Sequence, residues 1–344
     1  MSEIDDLRKQ IENIDEKLVY LLSERMKLSG KIGKIKQKNN FPITDEKREE
    51  SVRLRWLSLS QKYGIPESMI DPLLNLIFSY SKIFQINPSY IKKISIIGYG
   101  GMARSLISLF KISSQEVVVT GRDIKKAERL ASEFGYAYME PYKAVEWGEI
   151  IIITLPPSGI VSDFMKKLFP YFSGKKVIDI LSTKHSIFGF LEKMSLENNF
   201  NYISSHPLFG PYLYPVGEKI AVIPSITFPD SKEILDFWRN CGLFPIQTSL
   251  ENHEKAMAVV QVLPHFYLMA LSKSIELLAK ELDVDFSNFQ TTNFRDIYKI
   301  IKRVNDLHSV IMEIQELNPY SQKARELGMK ELNNLYNEFL GEKK

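Results

Sequence analysis

The chain has 344 residues, more than one hydrophobic core usually organises, so two or three domains are expected. Hydrophobic residues make up 44% and charged residues 25%, which is typical of a folded globular protein. Lys and Arg exceed Asp and Glu by only 45 to 42, and so small an excess disfavours a nucleic-acid-binding protein. A small-molecule substrate is the better expectation.

The single cysteine, Cys241, excludes an intrachain disulfide, and the polar start of the chain does not resemble a signal peptide. The most apolar run, Ile150 to Pro157, is far shorter than the roughly 20 residues that cross a bilayer. No group of His and Cys has the spacing of zinc ligands. These features predict a cytoplasmic protein without a membrane segment or a metal.

Residues 1–90 have the pattern of an all-helical domain. Apolar residues recur at alternating spacings of three and four from Ile4 to Ile35, which predicts one long helix. After a break at Asn39 to Pro42, a second helix is expected to be capped by Thr44 or Asp45 and to end near Tyr63. A third follows the Gly64-Ile65-Pro66 turn and reaches Phe84.

Residues 91–248 have a different periodicity, in which short apolar strands alternate with helices. This pattern predicts an α/β domain of the Rossmann type with a mostly parallel sheet. The expected strands after the first, Lys92 to Ile97, are Val117 to Thr120, Ile150 to Leu155, Lys176 to Leu181, Tyr202 to Ser204 and Ile220 to Pro224. Residues 249–344 are again helical and are expected to form a substrate-binding and dimerisation domain.

A glycine-rich loop follows the first strand of the α/β domain. Gly98, Gly100, Gly101 and Ala103 form a G-x-G-x-x-A motif between a strand and a helix. Backbone N–H groups of such a loop, with the helix N-terminus behind them, bind the pyrophosphate of a dinucleotide. The alternative, a mere tight turn, is disfavoured because a second strand comes about 20 residues later.

The end of the second strand bears on the choice of nucleotide. NAD-preferring domains place an acidic side chain there to bind the ribose 2′-hydroxyl, whereas this strand runs into Gly121-Arg122. Arg122 could pair with a 2′-phosphate, which favours NADP. Asp123 leaves NAD open, and Arg122 could also be only a solvated loop charge.

Two polar clusters follow strand ends in the same domain. His206 lies in a turn-rich stretch that is expected to come directly after a strand, and Ser182 follows another strand end on the same side of the sheet. Loops at this edge of an α/β sheet commonly hold the chemistry. Ser182 is therefore expected to meet His206.

Several motifs from Ile91 to the C-terminus resemble those of the prephenate dehydrogenase family. They are the glycine loop, Leu155-Pro156-Pro157, Ser182 to Lys184, the sequence HPLFGP from His206 to Pro211, Gln261 to His265, and Phe294-Arg295. The combination is specific, although each motif alone would be weak evidence.

This resemblance implies oxidative decarboxylation of a cyclohexadienyl substrate with NADP, or alternatively NAD, as oxidant. His206 would accept the proton of the ring hydroxyl, assisted by Ser182. Arg295 would hold a substrate carboxylate, and His265 would line the pocket. Prephenate and its aminated relative arogenate are not distinguished, and the remaining histidines are given no role.

An arginine interrupts the apolar spacing of the first helix. Arg25 stands where an apolar residue is expected, which is costly unless an anion binds there or the side chain reaches solvent. Lys36 lies eleven residues on, within roughly 20° of the same face and about 16 Å along the axis, so both cations can reach one dianion. Arg8 is about 25 Å away and can only serve the site of a second copy.

Polar side chains of the other two helices complete a second resemblance. Asp45, Arg48 and Glu49 share one helix face, as do Ser81 and Gln85. With Arg8, Arg25 and Lys36, these residues resemble the all-helical chorismate mutase family over nearly all of residues 1–90.

The mutase resemblance implies that Arg25 and Lys36, with Arg8 from a second copy, bind the two carboxylates of chorismate. Lys36 and Gln85 would flank its ether oxygen. The remaining implied roles are the ring hydroxyl for Glu49, a carboxylate for Ser81, and support of the site for Asp45 and Arg48. Such a site needs an interlocked homodimer but neither a cofactor nor a covalent step.

The leading hypothesis is one polypeptide that converts chorismate to prephenate and prephenate to 4-hydroxyphenylpyruvate. A rival keeps only the dehydrogenase, for prephenate or arogenate, with the helical domain as a dimerisation or ligand-sensing module. A third, a general hydroxyacid dehydrogenase, is disfavoured by HPLFGP and Phe294-Arg295.

Overall fold

The structure, a computed structural model, describes residues 3–39 and 41–341. Asn40, in the expected break, and residues 1–2 and 342–344, at the ends of the first and third expected domains, lie outside the described residues. The chain begins with three helices, α1 (Glu3–Lys38), α2 (Glu46–Tyr63) and α3 (Ile70–Gln85). Asp45 is the cap of α2, because its carboxylate accepts the N–H of Arg48 at 3.0 Å.

Helices α1 and α3 pack closely because α1 has small residues at the crossing. Ser29 and Gly33 are buried there, and a Cβ at Gly33 would collide with the backbone of Gln85. The apolar seam of α1 lies elsewhere on the helix and is solvent-exposed within one chain. From Ile4 to Ile35, its side chains are 49% to 61% exposed.

The central domain is one eight-stranded sheet. Its strands are β1 (Lys93–Ile97), β2 (Glu116–Thr120), β3 (Ala137–Tyr138), β4 (Ile150–Ile153), β5 (Lys176–Asp179), β6 (Asn201–Pro207), β7 (Lys219–Pro224) and β8 (Phe244–Gln247). The spatial order is β3-β2-β1-β4-β5-β6-β7-β8, parallel except where β7 pairs antiparallel with β6. The first six strands have the order of a dinucleotide-binding sheet, whose switch point lies between β1 and β4.

Helices cover both faces of this sheet. They are α4 (Gly101–Ile112), α5 (Ile124–Glu133), α6 (Pro141–Trp147), α7 (Pro157–Ile160), α8 (Asp163–Leu168), α9 (His185–Asn198) and α10 (Lys232–Asn240). One hydrophobic core contains Phe110 and Trp238, and the other contains Phe169 and Tyr202. The two cores make the strands buried on both sides, as their continuous apolar runs predicted.

The last part of the chain is helical. Its elements are α11 (Leu250–Met257), a π-helical turn at Ala258–Val262, α12 (Leu263–Glu281), α13 (Thr292–Asp306), α14 (His308–Leu317) and α15 (Ser321–Phe339). By length and composition, the helical stretch Leu250–Glu281 could cross a membrane, although only 22% of its most apolar window is buried. Helices that pack in a protein core pass the same test, and this one carries His253 and Glu254 buried at its start.

Polar contacts join the first domain to the sheet domain. Thr44 Oγ1 donates to Gly217 O at 3.1 Å. Asn240, at the end of α10, accepts the Ser89 N–H at 2.7 Å and donates to Tyr90 O at 2.9 Å. Asn240 therefore fastens the connection between α3 and β1 to the sheet domain at two successive residues.

The expected fold class, all-α then Rossmann α/β then all-α, is confirmed. One expectation about His206 was wrong: it lies within β6 rather than in a loop after a strand, because the strand extends to Pro207. Strands β3 and β8 were also not predicted.

Two candidate active sites

The guanidinium of Arg25 points at α3 and donates to the hydroxyl of Ser81, which is itself buried. Burial lowers the pKa of Arg25 from its ordinary value. The side chain is thus drawn away from the exposed apolar seam and held between two helices. A half-buried guanidinium without a carboxylate partner is suited to binding an anion.

A second cation, Lys36, lies near the start of α2. Its ammonium donates to Ile43 O at 2.6 Å. Burial is the largest cause of its lowered pKa, which Asp45 and Glu49 oppose and Lys82 reinforces. Glu49 in turn forms an ion pair with Lys82, whose ammonium lies 3.1 Å from Glu49 Oε1. The structure therefore brings Lys36, Asp45 and Glu49 together and adds Lys82.

The other residues expected at this site differ in their surroundings. Gln85 has a buried side-chain oxygen, Oε1, with no hydrogen-bond partner among the described residues. Buried polar atoms are normally satisfied, so this oxygen is available to a ligand. Arg48 is exposed, and Arg8, also exposed, forms an ion pair with Asp5 at 3.5 Å. Within one chain, neither arginine contacts Arg25 or Lys36.

The glycine loop lies at the switch point of the sheet. Gly98 has φ +129, and a Cβ there would collide with the Thr154 side chain that follows β4. Gly100 caps α4, and Ala103 is fully buried in the first turn of that helix. The backbone therefore approaches β4 closely and leaves the α4 N-terminus beside the loop, as pyrophosphate binding requires.

The residues after β2 are those that would distinguish NADP from NAD. Gly121 packs against the ring of Tyr99, and Arg122 is exposed beside it. The Asp123 carboxylate caps α5, since it accepts the Lys126 N–H at 3.1 Å, and it also lies 3.7 Å from the Lys126 ammonium. Asp123 is thus engaged within the protein, whereas Arg122 makes no side-chain hydrogen bond among the described residues.

His206 is buried on β6 and meets a second histidine from the helical domain. Its Nδ1 lies 2.9 Å from His253 Nε2 on α11. Burial lowers the pKa of His206 well below its ordinary value, and the neighbouring His253 and Lys184 lower it further. His206 is therefore neutral near pH 7, the state in which an imidazole accepts a proton.

A buried charged cluster lies beside this histidine pair. The Lys184 ammonium donates to Asp179 Oδ1 at 2.6 Å and to Ser205 O at 2.7 Å. Tyr202 donates to the other Asp179 oxygen at 2.8 Å. Burial lowers the pKa of Lys184, while Asp179 and Glu254 oppose that change. The ammonium fixes the strand carbonyl next to His206.

The other residues expected at the dehydrogenase site make no hydrogen bond to His206 among the described residues. Ser182 is partly exposed and has no hydrogen bond to His206 among the described residues. His265 is half-buried, burial lowers its pKa, and its Nδ1 has no partner. Gln261, four residues earlier and on the π-helical turn, also has an unpartnered buried oxygen. Arg295 is exposed on α13.

Sequence models of known families match three consecutive parts of the chain. Residues 7–86 match chorismate mutase type II, residues 93–183 match the coenzyme F420-dependent NADP oxidoreductases, and residues 249–339 match the dimerization domain of prephenate dehydrogenase. The chain therefore combines a chorismate mutase domain with the domains of a prephenate dehydrogenase. Its domains are those of an isomerase and an oxidoreductase.

Individual proteins are similar to the same parts of the chain. The T-protein of Haemophilus influenzae is 24% identical over 280 residues, 78% of this chain and 70% of that protein. A bifunctional chorismate mutase/prephenate dehydratase of Aquifex aeolicus is 38% identical over 104 residues, 30% of this chain and 28% of that protein. The prephenate dehydrogenase of A. aeolicus, solved with hydroxyphenyl propionate and NAD+, shares the fold with a TM-score of 0.57 at 18% identity, over 74% of this chain and 93% of that one.

Sequence reasoning missed four polar residues of the two sites. Lys82 was overlooked on the mutase side, and Lys184, His253 and Glu254 on the dehydrogenase side. Lys184 lies in the Ser182 to Lys184 motif, where only Ser182 was given a role, and the polar pair His253-Glu254 comes just before an apolar segment that starts at Ala256, which could have marked it. Among residues 3–39 and 41–341, no group of His, Cys, Asp and Glu could hold a metal ion.

Proposed function

We propose that the two sites act in sequence, the first rearranging chorismate to prephenate and the second oxidising prephenate to 4-hydroxyphenylpyruvate. The observation that carries the proposal is the coexistence of two kinds of site in one chain. One holds the half-buried cations Arg25 and Lys36, and the other holds a buried neutral histidine in the domain that carries the glycine loop. The product of the first is a substrate that fits the second.

In the mutase site, Arg25, Lys36 and Arg8 of a second copy hold the two carboxylates, with Ser81 beside Arg25. Lys36 and the side-chain amide of Gln85 face the ether oxygen, where negative charge grows as the bond breaks. The Oε1 of this amide has no hydrogen-bond partner among the described residues. For Gln85 to donate there, its amide must present Nε2 to the ether oxygen, a choice of orientation that the ligand decides. Glu49 binds the ring hydroxyl, with Asp45 and Arg48 supporting it.

In the dehydrogenase site, Gly98, Gly100, Gly101 and Ala103 would hold the pyrophosphate of the dinucleotide, whose nicotinamide would supply the hydride acceptor for C4 of the substrate. His206 takes the C4 hydroxyl proton as the carbonyl forms. Loss of CO2 then sends the electrons of the broken C–C bond through the ring to that oxygen, and the resulting phenolate takes the proton back. Ser182 assists His206, Arg295 holds a carboxylate, and His265 lines the pocket.

NADP is proposed as the preferred cofactor, with NAD as the alternative. Support comes from Arg122, which is exposed and unpaired at the end of β2, and from Asp123, whose carboxylate caps α5. We expect Arg122→Gln to weaken NADP binding roughly tenfold, the loss of about one charge-assisted hydrogen bond, and to leave NAD binding unchanged. Calorimetric titration of both cofactors checks this, and equal loss for both would contradict it.

A homodimer and a cytoplasmic location also remain predictions. The dimer is supported by the exposed apolar seam of α1 and by the low burial of the Leu250–Glu281 helical stretch. Arg8 needs a second copy, because within one chain it contacts no other residue of the site.

A coupled assay tests the whole proposal. Chorismate or prephenate is supplied with NADP, and nicotinamide reduction and chorismate consumption are followed separately. Wild type should reduce NADP from either substrate. Arg25→Ala should lose roughly 100-fold or more of its turnover from chorismate and keep turnover from prephenate, because it removes charge stabilisation in one site only.

His206→Asn should show the opposite pattern. It should consume chorismate at the wild-type rate while failing to reduce NADP from either substrate. Unchanged chorismate consumption by Arg25→Ala would refute the mutase assignment, and unchanged NADP reduction by His206→Asn would refute the dehydrogenase assignment.

A further inference from the structure

The contact between His206 and His253 constrains the protonation of both rings. In a neutral histidine, one ring nitrogen carries hydrogen and the other accepts. The 2.9 Å contact joins His206 Nδ1 to His253 Nε2, so one of these two nitrogens must donate and the other accept. The nitrogen of His206 left to meet a substrate is Nε2. Nε2 can act as a base only if the hydrogen of His206 is on Nδ1.

We propose that His253 and Glu254 are positioning residues that keep His206 in the tautomer with its hydrogen on Nδ1, an assignment that rests on the proposed dehydrogenase function. His253 Nε2 accepts that hydrogen, so the hydrogen of His253 is on its own Nδ1. This Nδ1 is buried, lacks a hydrogen-bond partner and lies 3.6 Å from Glu254 Oε1. A carboxylate at that distance attracts the N–H electrostatically and disfavours the opposite tautomer of His253.

Glu254 is itself fixed from both domains. Its Oε1 accepts the backbone N–H of Lys184 at 2.9 Å, and its Oε2 accepts from the Asn318 amide at 2.8 Å. Lys184 belongs to the sheet domain, whereas Glu254 and Asn318 belong to the helical domain. The orientation of the carboxylate, and through it that of His253, therefore depends on the two domains being docked.

The same arrangement accounts for the charge that appears during the reaction. When His206 takes the C4 hydroxyl proton at Nε2, the ring becomes cationic while Lys184 is nearby. The Lys184 ammonium is already paired with Asp179 at 2.6 Å, and Tyr202 donates to the same carboxylate. His253 accepts the Nδ1–H of the imidazolium, and the Glu254 carboxylate behind it offsets the added charge, as in other base and orienter pairs.

Matched substitutions of His253 test the proposal. His253→Gln keeps a side-chain oxygen that can accept the His206 hydrogen, whereas His253→Leu has similar bulk and no acceptor. We expect His253→Leu to lower kcat for prephenate roughly 10- to 100-fold with little change in KM, and His253→Gln to recover most of that loss. Chorismate consumption, which uses the other site, should stay at the wild-type rate and shows that each variant is folded.

Nitrogen-15 NMR of histidine-labelled protein gives a readout that is independent of activity. The His206 signals, identified by their absence in His206→Asn, should show hydrogen on Nδ1 in wild type and in His253→Gln, and a mixture of tautomers in His253→Leu. Hydrogen on Nε2 in wild type would overturn the proposal. So would kcat in His253→Leu equal to wild type. If wild type itself fails to oxidise prephenate, the proposed function fails first, and the two failures are thereby told apart.

Discussion

At the scale of single residues, the burial of His206 predicts how stability depends on pH. Burial holds its pKa well below 6.5 in the folded chain, whereas the unfolded chain regains about 6.5. Between these two pKa values the unfolded state binds one more proton than the folded state, so acidification favours unfolding. The folded state therefore has its full stability with respect to His206 above about pH 7, and the free energy of unfolding declines as the pH falls below 6.5.

We therefore expect wild type to lose up to about 1.4 kcal/mol of unfolding free energy for each pH unit below 6 from this residue. His206→Asn, which does not titrate, should lack that part of the slope. Urea denaturation from pH 5 to 8 measures it. Parallel stability curves for wild type and His206→Asn would contradict the prediction.

The residues that sequence reasoning identified differ from those that it missed in a physical way. Arg25 was recognisable because a cation broke an apolar repeat, and His206 because it stood in a distinctive motif. The contacts of His253 and Lys82 were not predictable, because each joins distant segments of the chain: His206 with His253, and Glu49 with Lys82. No local spacing encodes such pairs.

At the scale of elements, the crossing of α1 and α3 depends on Gly33. A Cβ there would meet the Gln85 backbone, which cannot move aside as a flexible side chain could. We expect Gly33→Ala to cost about 1–3 kcal/mol of unfolding free energy and to lower mutase turnover, because Gln85 is displaced. Denaturation and chorismate consumption check the two effects.

Gly189→Ala is the matched control, since Gly189 lies in α9 with nothing near the position of an added Cβ. There, alanine should stabilise by about 0.5–1 kcal/mol, as it usually does within a helix. Destabilisation by both substitutions alike would show that close packing is not the cause at Gly33.

The exposed seam of α1 predicts a second property of the same element. Ile14 and Leu18 are 55% and 53% exposed within one chain, in a row of apolar side chains that a second copy would cover. A glutamate at Ile14 would be buried without a partner in such a dimer. We expect Ile14→Glu to dissociate the mutase dimer and to remove chorismate turnover, because Arg8 of one copy no longer reaches the site of the other.

Asn13→Glu carries the same charge change one residue away, about 100° round the helix, and should leave both properties intact. Sedimentation across a range of protein concentrations and the mutase assay measure them. Ile14→Glu with full mutase turnover would exclude the shared site.

The elements also show where sequence patterns stop being informative. The long helix was predictable because its apolar periodicity extends over many residues, and the buried strands β1 and β4 because they are short, strongly apolar runs. The two-residue strand β3 and the edge strand β8 were not, because few of their residues are buried. His206 was placed in a loop because the polar Ser204-Ser205 pair suggests the end of a strand, whereas both side chains are buried inside β6.

At the scale of the whole molecule, the side-chain amide of Asn240 is one of the polar links between the mutase domain and the dehydrogenase. Asn240 is buried and makes hydrogen bonds from α10 to the backbones of Ser89 and Tyr90, in the connection that leaves α3. Ser89 is an exposed residue, so water can replace the lost partner of its N–H and removing the amide costs about 0.5–1.5 kcal/mol for each hydrogen bond. The link therefore couples the stabilities of two domains whose chemistry is separate.

A cofactor can report this coupling. NADP at about 100 times its Kd adds roughly 2.7 kcal/mol to the stability of the domain that binds it. In wild type, where the domains are clamped together, NADP should also protect the mutase from heating, seen as chorismate turnover that survives a higher temperature. In Asn240→Leu, NADP should still protect the dehydrogenase and no longer protect the mutase.

In Asn240→Asp, the protection of the mutase by NADP should be intermediate between that in wild type and that in Asn240→Leu. Its carboxylate can still accept the Ser89 N–H but cannot donate to Tyr90 O. Turnover from chorismate and from prephenate at 25 °C should be nearly the same in all three proteins, because the hydrogen bonds of Asn240 go to Ser89 and Tyr90, which are assigned to neither site. Equal protection of the mutase by NADP in wild type and in Asn240→Leu would mean that other contacts, such as Thr44 to Gly217, suffice to couple the domains.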